Sequence, residues 1–180
     1  MTDIDALGAD EVIVATGAKA RKLPVEGAEK GIEAVDYLLG NKQVGDTVVV
    51  VGGGLTGCEI AYELYLQGKK PIIVEMQNDL IVSKYICLAN TSYLRDFFNA
   101  NNVEVHLESG VSQICDDGVV IRDKNGNTQK IASDSVILSV GYTPAPVAKK
   151  KKNIHIIGDA DKVGNLRTVI WGAWDVCMKI

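Results

Sequence analysis

The segment VVVVGGGLTGCEIAYELYLQGKKPIIVEM, from Val48 to Met76, determines the fold of this 180-residue chain. Four valines lead into three consecutive glycines, and a helical pattern then leads to a second apolar run that ends at Glu75. A β-branched run without polar alternation is typical of a parallel strand covered on both faces. Ile60, Ala61 and Leu64 recur at helical steps. The segment therefore predicts a strand, a helix and a second parallel strand, joined by a right-handed crossover.

The glycines of this segment have the spacing of a dinucleotide-binding turn. Gly52, Gly54 and Gly57 fit G-x-G-x-x-G between a buried strand and a helix. The first glycine permits a tight turn, the second lets a pyrophosphate approach the backbone, and the third lets the helix pack closely on the sheet. The start of the helix also favours phosphates. The turn contains no lysine, which argues against a P-loop. We expect the remaining turn residues to contact the dinucleotide as well: Gly53, Leu55 and Thr56.

A carboxylate follows the glycines at the distance that a ribose-binding acid requires. Glu75 ends the second strand, where an acid accepts hydrogen bonds from the adenosine ribose and repels a 2′-phosphate. Residues 76–79, MQND, include no arginine or lysine. The sequence therefore predicts NADH in preference to NADPH. Two alternatives stay open, namely a surface acid at a strand end and a methyltransferase, which also uses a glycine-rich β-α-β unit.

The rest of the chain extends this unit into an α/β fold with a Rossmann-like parallel sheet. Apolar periodicity predicts helices at 32–40, 90–100 and 164–180, and strands at 11–16, 103–107, 135–141 and 154–160. Asp-Gly at 117–118 and Asn-Gly at 125–126 predict a three-stranded β-meander. Residues 20–31 and the lysine-rich residues 143–153 have the composition of surface loops.

Two of the predicted helices carry specific expectations. We expect Asn90 or Thr91 to cap the helix at 90–100. We expect the helix at 164–180 to bury its large apolar residues, which are Ile170, Trp171 and Trp174.

Composition narrows the classes of partner. The formal net charge is −4 and the pI is about 5.2, which weighs against nucleic acid or an anionic membrane as partner. No apolar run approaches the roughly 20 residues of a membrane helix, and the acidic start MTDIDALGAD does not resemble a signal peptide. We therefore expect a cytoplasmic protein, and homo-oligomerisation stays open.

Cysteine and histidine offer no metal site by their spacing. We expect reduced and mostly buried thiols at the four cysteines, which are Cys58, Cys87, Cys115 and Cys177. His106 and His155 lie in predicted strands, where a structural role is expected. The sequence therefore predicts neither a metal ligand set nor a catalytic acid, base or nucleophile.

Two further fragments flank the dinucleotide-binding unit. Ala15-Thr16-Gly17 ends the first strand and Gly158-Asp159 ends the last. With that unit between them, they resemble the FAD/NAD-linked flavoproteins with two dinucleotide-binding domains, the wider group of the pyridine nucleotide–disulfide oxidoreductases. The resemblance implies an NAD domain inserted into an FAD domain, with Thr16 and Gly17 closing the first FAD segment. It also implies that Gly158 and Asp159 open the second, where the aspartate bonds the FAD ribityl chain.

Longer stretches narrow the resemblance. DEVIVATGA, VVVVGGGLTGCEIAYEL, IIVEM and IIGDADKVGNLRTVIWGAWDV are similar to the C-terminal part of 2-enoate reductases and 2,4-dienoyl-CoA reductases. Those multidomain relatives of old yellow enzyme carry an FMN barrel with an iron–sulfur cluster, followed by an FAD/NAD(P)H module. The resemblance implies that NADH passes a hydride to FAD and that electrons then reach FMN, which reduces an activated C=C bond.

The same resemblance suggests where the nicotinamide end of the cofactor lies. It places Glu59 near the nicotinamide, with an exposed helix glutamate as the alternative. Gly141 ends the predicted strand at 135–141 and is expected at the cofactor edge of the sheet.

The resemblance divides the chain into a first FAD-domain segment at 1–41, an NAD(H)-binding domain at 42–141 and a second FAD-domain segment at 142–180. The FAD domain of such proteins begins with its own glycine-rich turn, and none precedes Ala15 here. We therefore expect a fragment of a larger flavoenzyme, without its FMN barrel, in which FAD binding stays open. A stand-alone NADH-binding module without turnover and a small NADH:flavin reductase are the alternatives.

Overall fold

A computed structural model describes residue 4 and residues 7–82 and 86–180. The chain divides into two compact units, one comprising the residues up to Arg21 with Tyr142–Ile180, and the other Lys22–Gly141. The division thus falls after Arg21, whereas the sequence suggested a boundary after residue 41. The assignment of the segments to FAD and NAD(H) domains stays a prediction. Residues 1–3, 5 and 6 of the predicted first segment lie outside the described residues.

Strands and helices alternate between residues 32 and 106, and a run of consecutive strands then leads to the last helix. The strands are β1 (Val12–Val14), β2 (Ala18–Ala20), β3 (Ile32–Glu33), β4 (Thr47–Val51), β5 (Lys70–Val74), β6 (Glu104–His106), β7 (Ser109–Cys115), β8 (Gly118–Asp123), β9 (Thr128–Ala132), β10 (Ser135–Leu138), β11 (Tyr142–Pro144) and β12 (Ile154–Ile156). The α-helices are α1 (Ala34–Leu38), α2 (Leu55–Leu66), α3 (Leu88–Ala100) and α4 (Leu166–Cys177).

A parallel sheet forms the centre of the larger unit. Its strand order is β3-β10-β4-β5-β6, and all its pairs are parallel. The predicted strand, helix and strand around the glycines are confirmed as β4, α2 and β5. Strand β3, although it precedes residue 41, belongs to the larger unit, because Ile32 pairs with Ile137 of β10.

The two faces of this sheet are covered by different layers. One face packs against the three helices of the unit through buried residues that include Val48, Val50, Ile60, Leu64, Ile73, Leu94, Phe98 and Ile137. The other packs against the predicted meander, which is confirmed as β7-β8-β9, through residues that include Val49, Val51, Val74, Val111, Val119 and Ile121. The alternation of the four valines at 48–51 between two cores explains why β4 shows no polar alternation.

The smaller unit holds two short pairs of strands. β1 pairs with β12 in parallel, and β2 pairs with β11 in antiparallel fashion. The second pair was not predicted, because its strands have only three residues each and overlap the segments with loop composition. Helix α4 begins with a capping box in which the side chains of Asn165 and Thr168 each accept a backbone N–H.

Three expectations about these elements are wrong. Ile170, Trp171 and Trp174 are 65%, 58% and 58% exposed, because helix α4 has no buried residues in the described unit. Helix α3 begins two residues earlier than predicted, so that Cys87 is its N-cap, and no side chain in the part of the chain that the structure describes caps it. The Thr91 hydroxyl instead donates a hydrogen bond within the helix, to the carbonyl of Leu88.

The thiols and imidazoles lie in varied surroundings. The four cysteines are free; only Cys58 is buried, while Cys87 and Cys177 are exposed, so the expectation of mostly buried thiols is wrong. Each histidine contacts an acid: His106 Nε2 lies 2.8 Å from Glu104 Oε1, and His155 Nε2 lies 2.8 Å from Glu11 Oε2. Among the described residues, no cluster of three acidic, histidine or cysteine side chains could hold a metal ion. No helix in the described ranges is long and apolar enough to cross a bilayer.

Candidate functional site

The glycine turn between β4 and α2 depends on two positions where any side chain would clash with the backbone. Gly52 has φ of +105° and donates its N–H to the carbonyl of Val74 at 2.8 Å. A Cβ on this residue would stand 2.3 Å from the carbonyl oxygen of Ser139. A Cβ on Gly57 would stand 1.9 Å from the carbonyl oxygen of Gly52. The chain therefore turns sharply out of the sheet and brings α2 against the turn.

Gly54, between these two, faces open space. A Cβ there would meet nothing within 4 Å, and φ is −68°, which any residue can adopt. Gly54 is also the N-cap of α2, and no side chain among the described residues caps the start of the helix. The N–H groups of the first turn, which include those of Leu55 and Thr56, lack intrahelical acceptors and can bind an anion.

Glu75 lies directly against the glycine turn. Its Oε2 accepts the N–H of Gly53 at 2.5 Å, and its Oε1 accepts the N–H of Gln77 at 2.7 Å. A carboxylate offers about four lone-pair directions, so each oxygen can accept a further hydrogen bond. The structure thus brings the predicted acid and the predicted turn together, and the bond between them was not foreseen from the sequence.

The segment after Glu75 also contacts the turn. The carbonyl oxygen of Gly53 accepts the N–H of Ile81 at 2.7 Å and the Sγ–H of Cys58 at 3.4 Å. Arg95, from helix α3, donates to the side chain of Asp79 at 3.0 Å and also to the carbonyl of Leu80. Sequence reasoning missed these residues, because nothing local marks a segment that folds back on a turn some 28 positions earlier (81 − 53).

Cys58 lies beneath the turn and is fully buried. Burial, together with the nearby negative charge of Glu75, raises the pKa of its thiol to about 12. The thiol therefore stays protonated at neutral pH, which is unsuited to nucleophilic or redox chemistry.

An open cleft of about 720 Å³ continues from Glu75. Residues 76–78, 108–112 and 122–124 line it. Gly110 pairs with Arg122 across β7 and β8, and a Cβ on Gly110 would only touch Met76 Cγ, at 3.6 Å. The Lys124 ammonium is paired with Glu108 at 2.6 Å. The cleft is of the size that small ligands occupy.

Two further predicted site residues of the larger unit are exposed. Glu59 lies on the outer side of α2, and no hydrogen bond from its side chain is found among the described residues. Gly141 has φ of +87°, and a Cβ there would meet nothing within 4 Å. The chain before Gly141 is held beside the glycine turn, because the N–H of Ser139 donates to the carbonyl of Val51 at 2.8 Å.

The two flanking fragments meet in the smaller unit. β1 and β12 are adjacent and parallel, and the N–H of Ile157 donates to the carbonyl of Val14 at 3.0 Å. The residues that follow the two strands therefore leave the same edge of this small sheet. They are Thr16, Gly17, Gly158 and Asp159.

The polar groups at this edge already have partners within the unit. The Thr16 hydroxyl donates to the carbonyl of Ala145 at 3.0 Å, and the carbonyl of Gly17 accepts the N–H of Ala145 at the same distance. Asp159 Oδ1 accepts the N–H of Gly164 at 3.0 Å. The remaining carboxylate lone pairs can accept hydrogen bonds from hydroxyl groups.

The chain resembles known proteins in both sequence and fold. Residues 2–168 match the family described as pyridine nucleotide-disulphide oxidoreductase. The chain belongs to this family. Its members use FAD and NAD(H), and the mixed α/β architecture is that of their Rossmann-type domains.

Individual relatives include several reductases and oxidases. The chain is 41% identical, over 184 residues, to cinnamate reductase of Clostridium sporogenes, covering 99% of this chain and 28% of the relative. It is 31% identical to an NADH oxidase of Thermoanaerobacter brockii, covering 98% of this chain and 29% of the relative. A solved complex of 2-naphthoyl-CoA reductase with 2-naphthoyl-CoA has a TM-score of 0.81 and 26% identity, over 95% of this chain and 27% of that one. The chain thus spans less than a third of each of these proteins.

Proposed function

We propose that the chain is the NADH-binding electron-input module of a multidomain flavin oxidoreductase of the enoate or dienoyl-CoA reductase type. Its role is to place NADH for hydride transfer to FAD. The observation that carries the proposal is the shape of the glycine turn. Gly52 and Gly57 are enclosed by backbone oxygens, whereas the space beside Gly54 is open at the start of a helix.

The open position matches the needs of a pyrophosphate. Two linked phosphates require a backbone without an intervening Cβ, and N–H donors that no other group occupies. Gly54 provides the first, and the N–H groups of Leu55 and Thr56 provide the second. The positive end of the α2 dipole adds electrostatic stabilisation.

The ribose and the base extend from the turn toward Glu75. Its carboxylate is fixed by the N–H groups of Gly53 and Gln77, so it accepts ribose hydroxyls from a defined position. The charge of Glu75 disfavours a 2′-phosphate, which supports NADH over NADPH. The cleft beyond it, with Gly110 between Met76 and Arg122, has room for the adenosine end.

We propose the contacts to the nicotinamide and to the flavin from the family resemblance. Glu59 is proposed near the nicotinamide and Gly141 at the same edge of the sheet, while Thr16, Gly17, Gly158 and Asp159 are proposed to contact FAD. Bound NADH supplies a hydride and FAD accepts it; the protein supplies position and electrostatics. An activated C=C bond is proposed as the final acceptor in the parent enzyme, because the relatives include cinnamate reductase and 2-naphthoyl-CoA reductase.

Calorimetric titration of the chain with NADH, NADPH and FAD tests this function. We expect NADH to bind most tightly, NADPH more weakly and FAD most weakly. Absence of NADH binding would refute the proposal. Oxidation of NADH by the chain with added free flavin would instead favour a small NADH:flavin reductase.

A further inference from the structure

We infer that Arg95 is a positioning residue for the dinucleotide, acting through a support segment formed by residues 79–81. This inference rests on the proposed function, because it concerns how the phosphate-binding turn is held in shape. Arg95 lies on helix α3 and is not itself at the glycine turn. Its two hydrogen bonds, to Asp79 Oδ1 and to the carbonyl of Leu80, both end on the support segment.

The support segment contacts the central glycine of the turn in two ways. The N–H of Ile81 donates to the carbonyl of Gly53 at 2.7 Å. Leu80 Cδ2 lies 2.6 Å from the point at which a Cβ on Gly53 would stand, so the leucine side chain closes that side of the glycine. Leu80 and Ile81 are buried, at 5% and 3% exposure. Gly53 is therefore enclosed by the support segment and by the side chain of Glu75.

The backbone of the support segment needs an external restraint. Ile81 has φ of +54°, a left-handed conformation that is a true outlier for a β-branched residue. Such a conformation persists only where surrounding contacts determine it. Asp79 Oδ1 accepts the N–H of Leu80 at 2.7 Å as well as the Arg95 guanidinium at 3.0 Å. The arginine therefore fixes the two residues immediately before the strained one.

These contacts predict what loss of the guanidinium does. Without Arg95 the support segment can relax toward ordinary backbone angles, and the Ile81 N–H then leaves the carbonyl of Gly53. The peptide groups that follow Gly53 lose their fixed direction, and the N–H donors at the start of α2 are no longer preorganised for phosphates. We therefore expect weaker binding of NADH, because a turn that must become ordered when the ligand binds has a lower affinity than a preorganised one.

The experiment compares Arg95→Ala with a matched control, Lys30→Ala. Lys30 forms an ion pair of 2.6 Å with Asp116 in the same unit, away from the glycine turn. We expect Arg95→Ala to weaken NADH binding about tenfold in calorimetric titration, and Lys30→Ala to change it less than about twofold. Arg95→Lys should restore only part of the affinity. Its ammonium keeps the positive charge but lacks the planar fork that reaches both acceptors.

A second measurement separates positioning from general stabilisation. In a ¹H–¹⁵N spectrum of the free chain, the Gly53 amide is expected to shift in Arg95→Ala and to stay in place in Lys30→Ala. If Arg95→Ala does not fold, Asp79→Asn serves instead, since it removes the carboxylate but keeps an oxygen for the Leu80 N–H; a smaller shift in the same direction is expected.

The outcomes distinguish this inference from the function on which it rests. A folded Arg95→Ala chain with unchanged NADH affinity, or with an unmoved Gly53 amide, would overturn the positioning role while leaving NADH binding intact. A wild-type chain that fails to bind NADH would overturn the proposed function, and the Gly53 amide would still report whether Arg95 holds the turn.

Discussion

Neighbouring glycines of the turn differ sharply in what surrounds them. Gly52 and Gly57 lie against backbone oxygens, Gly53 lies between Glu75 and Leu80, and Gly54 faces open space. The first three serve the fold of the turn itself. Among these four glycines, Gly54 is therefore the one whose lack of a side chain serves ligand binding more than the fold.

Replacement of Gly54 separates binding from folding. We expect Gly54→Val to leave the melting temperature within about 2 °C of wild type, because φ and the surrounding space accept a side chain. NADH affinity should fall at least about tenfold, since the valine occupies the path of the pyrophosphate. Gly57→Ala is the matched control: its Cβ would clash with the turn, so it should lower the melting temperature instead. Unchanged NADH affinity in Gly54→Val would remove Gly54 from the site.

Replacement of Glu75 tests which nucleotide the site selects. We expect Glu75→Arg to shift the ratio of NADPH to NADH affinity toward NADPH by about tenfold or more. The negative carboxylate repels the 2′-phosphate of NADPH, whereas the positive guanidinium attracts it. NADH should also bind more weakly, since the N–H of Gly53 loses its acceptor. Glu75→Gln keeps an oxygen for that N–H and should give a smaller shift. If Glu75→Arg prefers NADH as strongly as wild type does, Glu75 does not face the ribose.

The raised pKa of Cys58 has a chemical consequence. A thiol with a pKa of about 12 is roughly one part in ten thousand thiolate at pH 8. We expect Cys58 to resist alkylation at pH 8 while the exposed Cys87 and Cys177 react, as measured by mass spectrometry of labelled peptides. The rate at Cys58 should increase as the pH rises toward 12, because the thiolate fraction increases. Labelling of Cys58 as fast as of Cys177 would contradict its buried, protonated state.

Among the elements, the parallel sheet and its two covering layers hold the candidate site in place. β4 and β5 end next to each other, because Val51 pairs with Val74. Gly52 and Glu75, the residues that follow these strands, are thereby brought to one edge of the sheet. The meander covers one face and the helices cover the other, while Gly54 faces open space at this edge.

Stability of the larger unit should depend on the buried strands. Ile137 lies in β10, between β3 and β4, and has no exposed surface. We expect Ile137→Ala to lower the free energy of unfolding by about 2–5 kcal/mol, because removal of the side-chain atoms leaves a cavity inside a packed core. Leu39→Ala, at a residue 69% exposed, should cost less than about 0.5 kcal/mol. Urea denaturation of both variants measures this, and equal effects would contradict the packing described here.

The elements also show what the sequence could and could not predict. β4, α2 and β5 were predictable, because unbroken valines, glycine spacing and helical periodicity are local signals. β2 and β11 were not, since each is short and its partner lies more than a hundred residues away (142 − 20 = 122). The same limit applies within the site. No local pattern encodes the hydrogen bond from the Gly53 N–H to Glu75. The same holds for the contacts between Arg95 and the support segment.

At the scale of the whole molecule, the chain consists of two units that differ in the size of their buried cores. The larger one has buried cores on both faces of its sheet. In the smaller one, the described part buries few apolar residues, and helix α4 leaves Leu166, Ile170, Trp171 and Trp174 exposed. An amphipathic pattern correctly predicted the helix, but the pattern does not specify what covers its apolar side.

The most direct test of the central claim is a crystal structure of the chain with NADH bound. We expect both phosphates to lie within hydrogen-bond distance of the N–H groups at Gly54, Leu55 and Thr56, and the adenosine ribose to contact the carboxylate of Glu75. A pyrophosphate bound elsewhere, with the space beside Gly54 left without nucleotide, would contradict the account.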